Sequence, residues 1–290
     1  MRANQAPPRQ QSMQKNAEIF RQVQAMKAQG VIQESKARHW SQVLLTPKPN
    51  GKWRFCIDYI NINDCSEREG WPLPHVELML RRIGEQRPKY FAVMDCTSGY
   101  YQAPLSPSSR IFTAFITIFG IFEWLRVPMG LKGAPSYFQR VMASIVLVGL
   151  IHVICELFID DAIVFGSTFE EYLDRLRQVF ERLRRHKITL NPAKCRFGLH
   201  EVEYVGHVIN HEGTKFAPER REAVFNMERP AMGKELKSFI GCAEYFRSHI
   251  RDLSTKLRPL HLMIQNYERN RKLDWNQEAI DAWNQIKGRI

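Results

Sequence analysis

Apolar positions along the chain change period several times, and each change marks an element. A polar lead over residues 1–12 has the composition of disorder, and residues 14–27, stopping at Gln29-Gly30, predict a polar helix. Val43-Leu44-Leu45 and Trp53-Arg54-Phe55-Cys56-Ile57 are strand-like runs bracketing Pro47-Lys48-Pro49-Asn50-Gly51. Asn-Gly between apolar runs predicts a hairpin, with Lys48 and Lys52 projecting from a mobile basic finger. Pro72-Leu73-Pro74 opens a helical stretch through Leu80, and residues 90–94 form a short apolar strand ending on Asp95. A second hairpin is expected over residues 112–127 with Gly120 near its turn, and Gly133-Ala134-Pro135 introduces an apolar helix through Met142.

Val153-Ile154-Cys155 and Ile163-Val164-Phe165 are apolar on both faces, as central strands are, and enclose Phe158-Ile159-Asp160-Asp161. Thr168 and Glu171 read as a capping box for a helix with Leu173, Leu176, Phe180 and Leu183 on one face. A strand pair centred on Gly206 is expected over residues 203–209, with Glu212-Gly213 as a turn. Beyond Pro218, Leu236, Phe239 and Ile240 recur at helical spacing, as do Leu257, Leu260 and Ile264. βαβ-like crossings around central strands imply an α+β sheet domain, with a boundary near residue 215 before a smaller helical one. There is no internal repeat.

Composition narrows the function classes. With 290 residues, 44% hydrophobic and 25% charged, a sizeable core is available. A net charge of +12 favours a polyanion such as nucleic acid, although a membrane surface or plain solubility fits the same balance. Six cysteines without a C-x-x-C pair point to neither a zinc module nor a disulfide framework, and to a reducing, intracellular compartment. No apolar signal segment is visible, and residues 145–158 are too short, and carry His152 and Glu156, to span a membrane.

The acidic pair at the hairpin tip carries the chemistry. Asp pairs at turns are ordinary, because Asp suits turn geometry and solvent. At the end of a buried sheet, however, uncompensated carboxylates cost several kcal/mol, at roughly the scale of any unpaired buried charge, and a cation relieves that. Three carboxylates from two strands, Asp95 with Asp160 and Asp161, are what two-metal phosphoryl transfer requires of a protein. Oxygen ligands suit Mg²⁺, with Mn²⁺ as a substitute. Lys48, Lys52 and Arg54 on the basic finger would neutralise incoming phosphates.

Gly51-Lys52-Trp53-Arg54-Phe55-Cys56-Ile57-Asp58-Tyr59, Trp71-Pro72-Leu73-Pro74 and Met94-Asp95-Cys96-Thr97-Ser98-Gly99-Tyr100-Tyr101-Gln102 stand in this order. Thr113-Ala114-Phe115, Val127-Pro128-Met129-Gly130-Leu131-Lys132-Gly133-Ala134-Pro135, Phe138-Gln139, the acidic hairpin and Val205-Gly206-His207-Val208-Ile209 come after them. Together they resemble the reverse transcriptases of gypsy-like LTR retrotransposons over roughly residues 28–287. The resemblance implies a right-hand polymerase: fingers and palm over residues 28–215 and a helical thumb over 216–268, which includes Lys234-Glu235-Leu236-Lys237-Ser238-Phe239-Ile240-Gly241. It also implies an RNA-directed DNA polymerase that takes an RNA template, a DNA primer or template and deoxynucleoside triphosphates, with two Mg²⁺ ions.

By the same resemblance Asp95 and Asp160 are the principal metal ligands and Asp161 assists them. Arg54 and Lys52 face nucleotide phosphate, Tyr100 closes on the sugar 2′ position, and Gln102 and Met129 line the nucleotide pocket. Lys132 meets template phosphate, Phe158 stands where the family often has Tyr, and Val205, Gly206 and His207 form the turn that grips the primer. Read locally, each has a plainer alternative: Arg54 and Lys132 as solvated charges, Tyr100 as core, Gly206 as an ordinary strand glycine. Ala162, where a larger aliphatic is common, implies looser packing beneath the doublet. Leu273-Asp274-Trp275 and Ala282-Trp283 resemble the approach to a ribonuclease H region, so residues 269–290 would begin a connection to a domain this sequence does not contain. A piece of a Pol polyprotein, whose remaining segments would be partners, is one expectation. A decayed reading frame that binds nucleic acid without catalysis is the alternative, and a DNA-templated polymerase with a similar palm a third. The expected location is a cytoplasmic particle or the nucleus.

Overall fold

Ser12 accepts the Lys15 N–H and so caps helix α1 (Met13–Ala28), which ends before Gly30 at φ 64°. The computed structural model describes residues 5–48, 51–67, 69–247, 250–265 and 272–289. After α1 come β1 (Ile32–Glu34), β2 (Ser41–Pro47), β3 (Trp53–Ile57), the short helix α2 (Ile60–Cys65), α3 (Val76–Glu85), β4 (Tyr90–Asp95) and α4 (Pro107–Arg110). Next are β5 (Phe115–Thr117), β6 (Gly120–Trp124), α5 (Ala134–Val141), β7 (Cys155–Phe158), β8 (Asp161–Gly166), α6 (Phe169–Arg185), β9 (Arg196–Leu199) and β10 (Glu201–Tyr204). The chain divides into two units, the first comprising residues 1–205 and 209–213, the second 206–208 and 214–290.

In the first unit one sheet has the order β1-β6-β5-β2-β3. Its core joins Ile19, Val23 and Met26 of α1 to Val43, Leu45, Phe55, Phe115, Phe122 and Trp124. The β2–β3 hairpin is closed by the Lys48 N–H donating to the Lys52 carbonyl at 2.7 Å; the Pro49 and Asn50 of the expected turn lie outside the described residues.

A second sheet runs β7-β8-β4-β9, with every neighbour antiparallel. The expected βαβ-like crossings therefore return the chain antiparallel, and β2 with β5 is a parallel pair only in the other sheet. Strand alternation sends Ala92, Met94, Leu157, Ala162 and Val164 to one face, against α5 and α6. Phe91, Ile163 and Phe165 go to the other, against Met79 and Ile83 of α3 and Val202, Tyr204 and Ile209. With both faces buried, a one-residue slip would exchange the two sets, so packing fixes the register. β7 is an edge strand and Val153 is exposed, which corrects the expectation that both flanking runs are central. On α6, Tyr172, Leu176, Val179 and Leu183 are buried while Leu173 is exposed. Packing against the sheet gives Tyr172 the inward position expected of Leu173.

The strands β10, β11 (His207–Asn210) and β12 (Gly213–Phe216) form a third sheet in that order, through which the chain passes into the second unit. That unit continues with α7 (Pro218–Phe225), α8 (Gly233–Tyr245), α9 (Leu253–Ile264) and α10 (Gln277–Lys287). Leu236, Phe239, Leu257, Leu260, Ala279, Trp283 and Ile286 share its core, with Leu273 and Trp275 against it. The described residues of the expected 269–290 connection pack into this core: the Phe239 and Trp283 rings stand 3.8 Å apart between centroids. Among the described residues no helix is long and apolar enough to cross a membrane.

Candidate active site

Pairing of Phe158 with Asp161 leaves Ile159 and Asp160 as a two-residue hairpin loop, and Ile159 sits at φ 58°. A β-branched residue in the left-handed region is strained by about 1–2 kcal/mol, so the surroundings must hold it. Gln139, buried on α5, accepts the Ile159 N–H at 2.6 Å on Oε1 and donates from Nε2 to the Leu157 carbonyl at 3.3 Å. The Tyr204 hydroxyl donates to the Asp161 carbonyl at 3.2 Å, and the Cys96 N–H donates to the Asp160 carbonyl at 3.4 Å. Gly99 lies alongside: a Cβ there would stand 3.2 Å from the Phe138 ring and 3.4 Å from Asp160 Cβ. Neither Gln139 nor Tyr204 carries a local signal of this role, although Gln139 lies in the Phe138-Gln139 motif.

The sheet register brings the acids together. Asp95 is the cross-strand partner of Asp161, and like charges directly opposite destabilise a strand pair. The Asp161 carboxyl is raised to about 6 by loss of water at the crowded tip, then by Asp160 and Asp95, with Lys194 acting in the opposite direction. The Asp95 Oδ2 is turned onto the Lys194 ammonium at 2.9 Å. Burial, with Asp160 and Asp95 next, pushes the Cys96 thiol up to about 12, so it stays protonated. Among the described residues no three His, Cys, Asp or Glu side chains already stand as a ligand set for one metal ion.

Residues 46–209 match the family of reverse transcriptases (RNA-dependent DNA polymerase). The Pol polyprotein from transposon opus of Drosophila melanogaster is 31% identical over 93% of this chain and 28% of its own length. That from transposon 297 of the same species is 32% identical over 94% of this chain and 26% of its own. The chain belongs to the reverse transcriptases. It spans about a quarter of the polyproteins it matches. A foamy viral protease–reverse transcriptase in complex with double-stranded DNA has the same fold, with a TM-score of 0.85 at 24% identity over 99% of this chain and 50% of that one. The right-hand polymerase class expected from the resemblance therefore holds.

The other expected residues of the chain take varied places. Arg54 and Lys52 are exposed at the β2–β3 hairpin. Tyr100, half-buried, packs edge-on against Phe138, and burial followed by Asp160 raises its phenol above the ordinary value. Met129 is exposed. The Gln102 amide donates at 2.8 Å to both the Thr97 and Thr189 carbonyls, tying two loops together. The Lys132 ammonium donates to the Asn63 and Ser66 carbonyls at 3.2 and 3.0 Å, so it is committed to the protein surface as well as facing water. Phe158 packs against the Phe91 and Ile163 side of the sheet. Val205 and Gly206 have φ 48° and 78° and form the turn between β10 and β11, which sets aside the reading of Gly206 as a mid-strand glycine. Within the second unit His207 stacks on Phe216 at 4.8 Å, and the Arg220 guanidinium fills the space a Cβ on Gly206 would need.

Proposed function

We propose that this chain is an RNA-directed DNA polymerase that extends a primer 3′ end on an RNA or DNA template by two-metal phosphoryl transfer. The observation that carries the reading is the Asp95–Asp161 register with Asp160 beside it, in a chain of the reverse transcriptase family. Asp95, Asp160 and Asp161 would hold the ions. Their all-oxygen donor set suits Mg²⁺, and a divalent cation would offset both the burial and the neighbouring acids that raise Asp161. When bound there, two such ions stabilise charge on the attacking and leaving oxygens. The protein's own part is positional: Gln139 and Tyr204 keep the doublet aimed, Tyr100 walls the site beside Asp160, and Arg54 with Lys52 meets the triphosphate as charge-assisted donors.

Fingers and palm would then be residues 28–215, the thumb 216–268, and the bound partners primer–template and deoxynucleoside triphosphates. The foamy viral relatives were solved with double-stranded DNA and with an RNA/DNA hybrid, which supports the same classes of duplex here. Primer extension on a primed RNA template with Mg²⁺ tests the reading. Wild-type chain should extend, and Asp160→Asn with Asp161→Asn should not while still binding the duplex. Extension by the double variant would refute the assignment, and duplex binding without extension by the wild type would favour the non-catalytic alternative.

A further inference from the structure

Lys194 comes from a turn built onto the residue it contacts. The Asn191 N–H donates to the Asp95 carbonyl at 2.9 Å, and the Lys194 and Cys195 N–H groups donate to the Asn191 carbonyl at 3.0 and 3.1 Å. Beside it the Thr97 N–H donates to the Thr189 carbonyl at 3.0 Å, and the Gln102 amide stitches the same two segments together, accepting the Thr189 N–H at 2.7 Å. Cys96 and Leu190 add an isolated antiparallel bridge. The backbone of residues 189–195 is therefore fixed relative to Asp95, and the Lys194 ammonium reaches Oδ2 at 2.9 Å while its side chain remains 63% exposed.

Three carboxylates are gathered at this hairpin tip, Asp95 opposite Asp161 in the strand register and Asp160 next to it in the chain. Lys194 interacts with all three, and with Asp95 most closely. Its hold on Oδ2 turns Asp95 toward the 189–195 turn while the acids stand short of a shared ligand set. A lysine is suited to reversible neutralisation, because its charge is a compact point on a flexible stem that can withdraw into water. An arginine fork would grip a carboxylate at two points and release it less readily.

We propose that Lys194 is a built-in counter-ion which occupies Asp95 before divalent cations arrive and competes with them for its carboxylate, making loading of the site dependent on displacing the ammonium. The inference rests on reading the three aspartates as metal ligands. It assigns Lys194 a positioning role and requires no proton transfer. A divalent ion brings twice the charge and repels the ammonium, which then swings out on its exposed stem. In the absence of nucleic acid the pair keeps the crowded acids neutralised at the expense of ion affinity.

The test is Mn²⁺ binding to the full chain without nucleic acid, read from the free-ion electron paramagnetic resonance signal. Wild type, Lys194→Met, Lys194→Gln and the Asp160→Asn, Asp161→Asn double variant are compared, with thermal melts of each. Removing one positive charge a few ångströms from the ion in a largely solvated setting should tighten Mn²⁺ binding roughly five- to twentyfold in both Lys194 variants. The thermal stabilisation given by Mn²⁺ should grow in step. A purely structural lysine would do the reverse, weakening binding when lost. Unchanged or weaker binding in the two Lys194 variants overturns the proposal, as does failure of both to fold. If the double Asn variant binds Mn²⁺ as the wild type does, the metal-ligand reading itself falls. If that variant loses binding while the Lys194 variants match wild type, only the counter-ion role falls.

Discussion

Replacing Gln139 by leucine keeps nearly the same volume in the core but removes the group that restrains the acidic hairpin. Gln139 accepts the Ile159 N–H at 2.6 Å and donates to the Leu157 carbonyl at 3.3 Å, and Ile159 is held at φ 58°. An unsatisfied amide in a partly buried turn costs about 1–3 kcal/mol, and near-constant volume keeps the packing penalty small. Gln139→Leu should therefore destabilise the fold by about 2 kcal/mol, lowering the melting temperature by roughly 4–8 °C for a chain of this size. Because the same turn aims Asp160, extension should fall further than stability alone explains, through kcat rather than KM. Denaturant titration gives the first quantity and steady-state primer extension the second. The double variant with Ile159→Gly sharpens the test. Glycine accepts the left-handed conformation without strain, so the two substitutions should be non-additive by at least about 0.5 kcal/mol. A loss in Gln139→Leu below about 0.5 kcal/mol with normal kcat would refute the idea that this amide holds the doublet in place.

Asp161, raised to about 6 from 3.8, binds its proton more tightly folded than unfolded, so its contribution is fully favourable below about pH 4 and declines as pH rises to about 6. Asp161→Asn should raise the ion-free melting temperature above that window, leave it unchanged near pH 4, and abolish extension; an equal shift at both pH values would contradict the sign. Trp283→Ala, which empties a site 3.8 Å from the Phe239 ring, should destabilise the helical unit by about 3–5 kcal/mol, moving one calorimetric transition and leaving the other in place. Unmoved transitions would show that α10 is not part of that core. Arg82→Ala strips the bidentate partner at 2.6 and 3.1 Å from Glu156, which is 1% exposed. A loss of about 3 kcal/mol in urea unfolding, relieved in the added variant Glu156→Gln, is expected; no relief would mean the buried charge is not the cause.

Local pattern made the acidic hairpin, β4 and the capped helix α6 legible, because burial on alternate positions and the Thr168 cap act within a few residues. The family motifs located Asp95, Asp160 and Asp161, and the strand register pairs the first with the last. What escaped was long-range. Lys194 reaches Asp95 across 99 residues, Tyr204 reaches Asp161 across 43, and Gln139 reaches Ile159 across 20. No periodicity encodes such pairs, since they depend on which helix or turn packs over the hairpin. Leu173 misled for a related reason: the helical repeat fits a stripe through Leu173 as well as one through Tyr172, and the neighbouring strands decide between them. The antiparallel second sheet escaped too, because an alternation of strands and helices fits either direction of return.

The place of α10 bears on where this chain tolerates being cut. Trp283 and Ile286 are sealed into the same apolar interior as Leu236 and Leu257, so proteolysis between Trp275 and Trp283 would tear a wedge from the helical unit and expose it to aggregation. A cut anywhere within α10 would therefore unpack the helical unit rather than trim a tail, and the packing sets that cost whichever protease makes the cut.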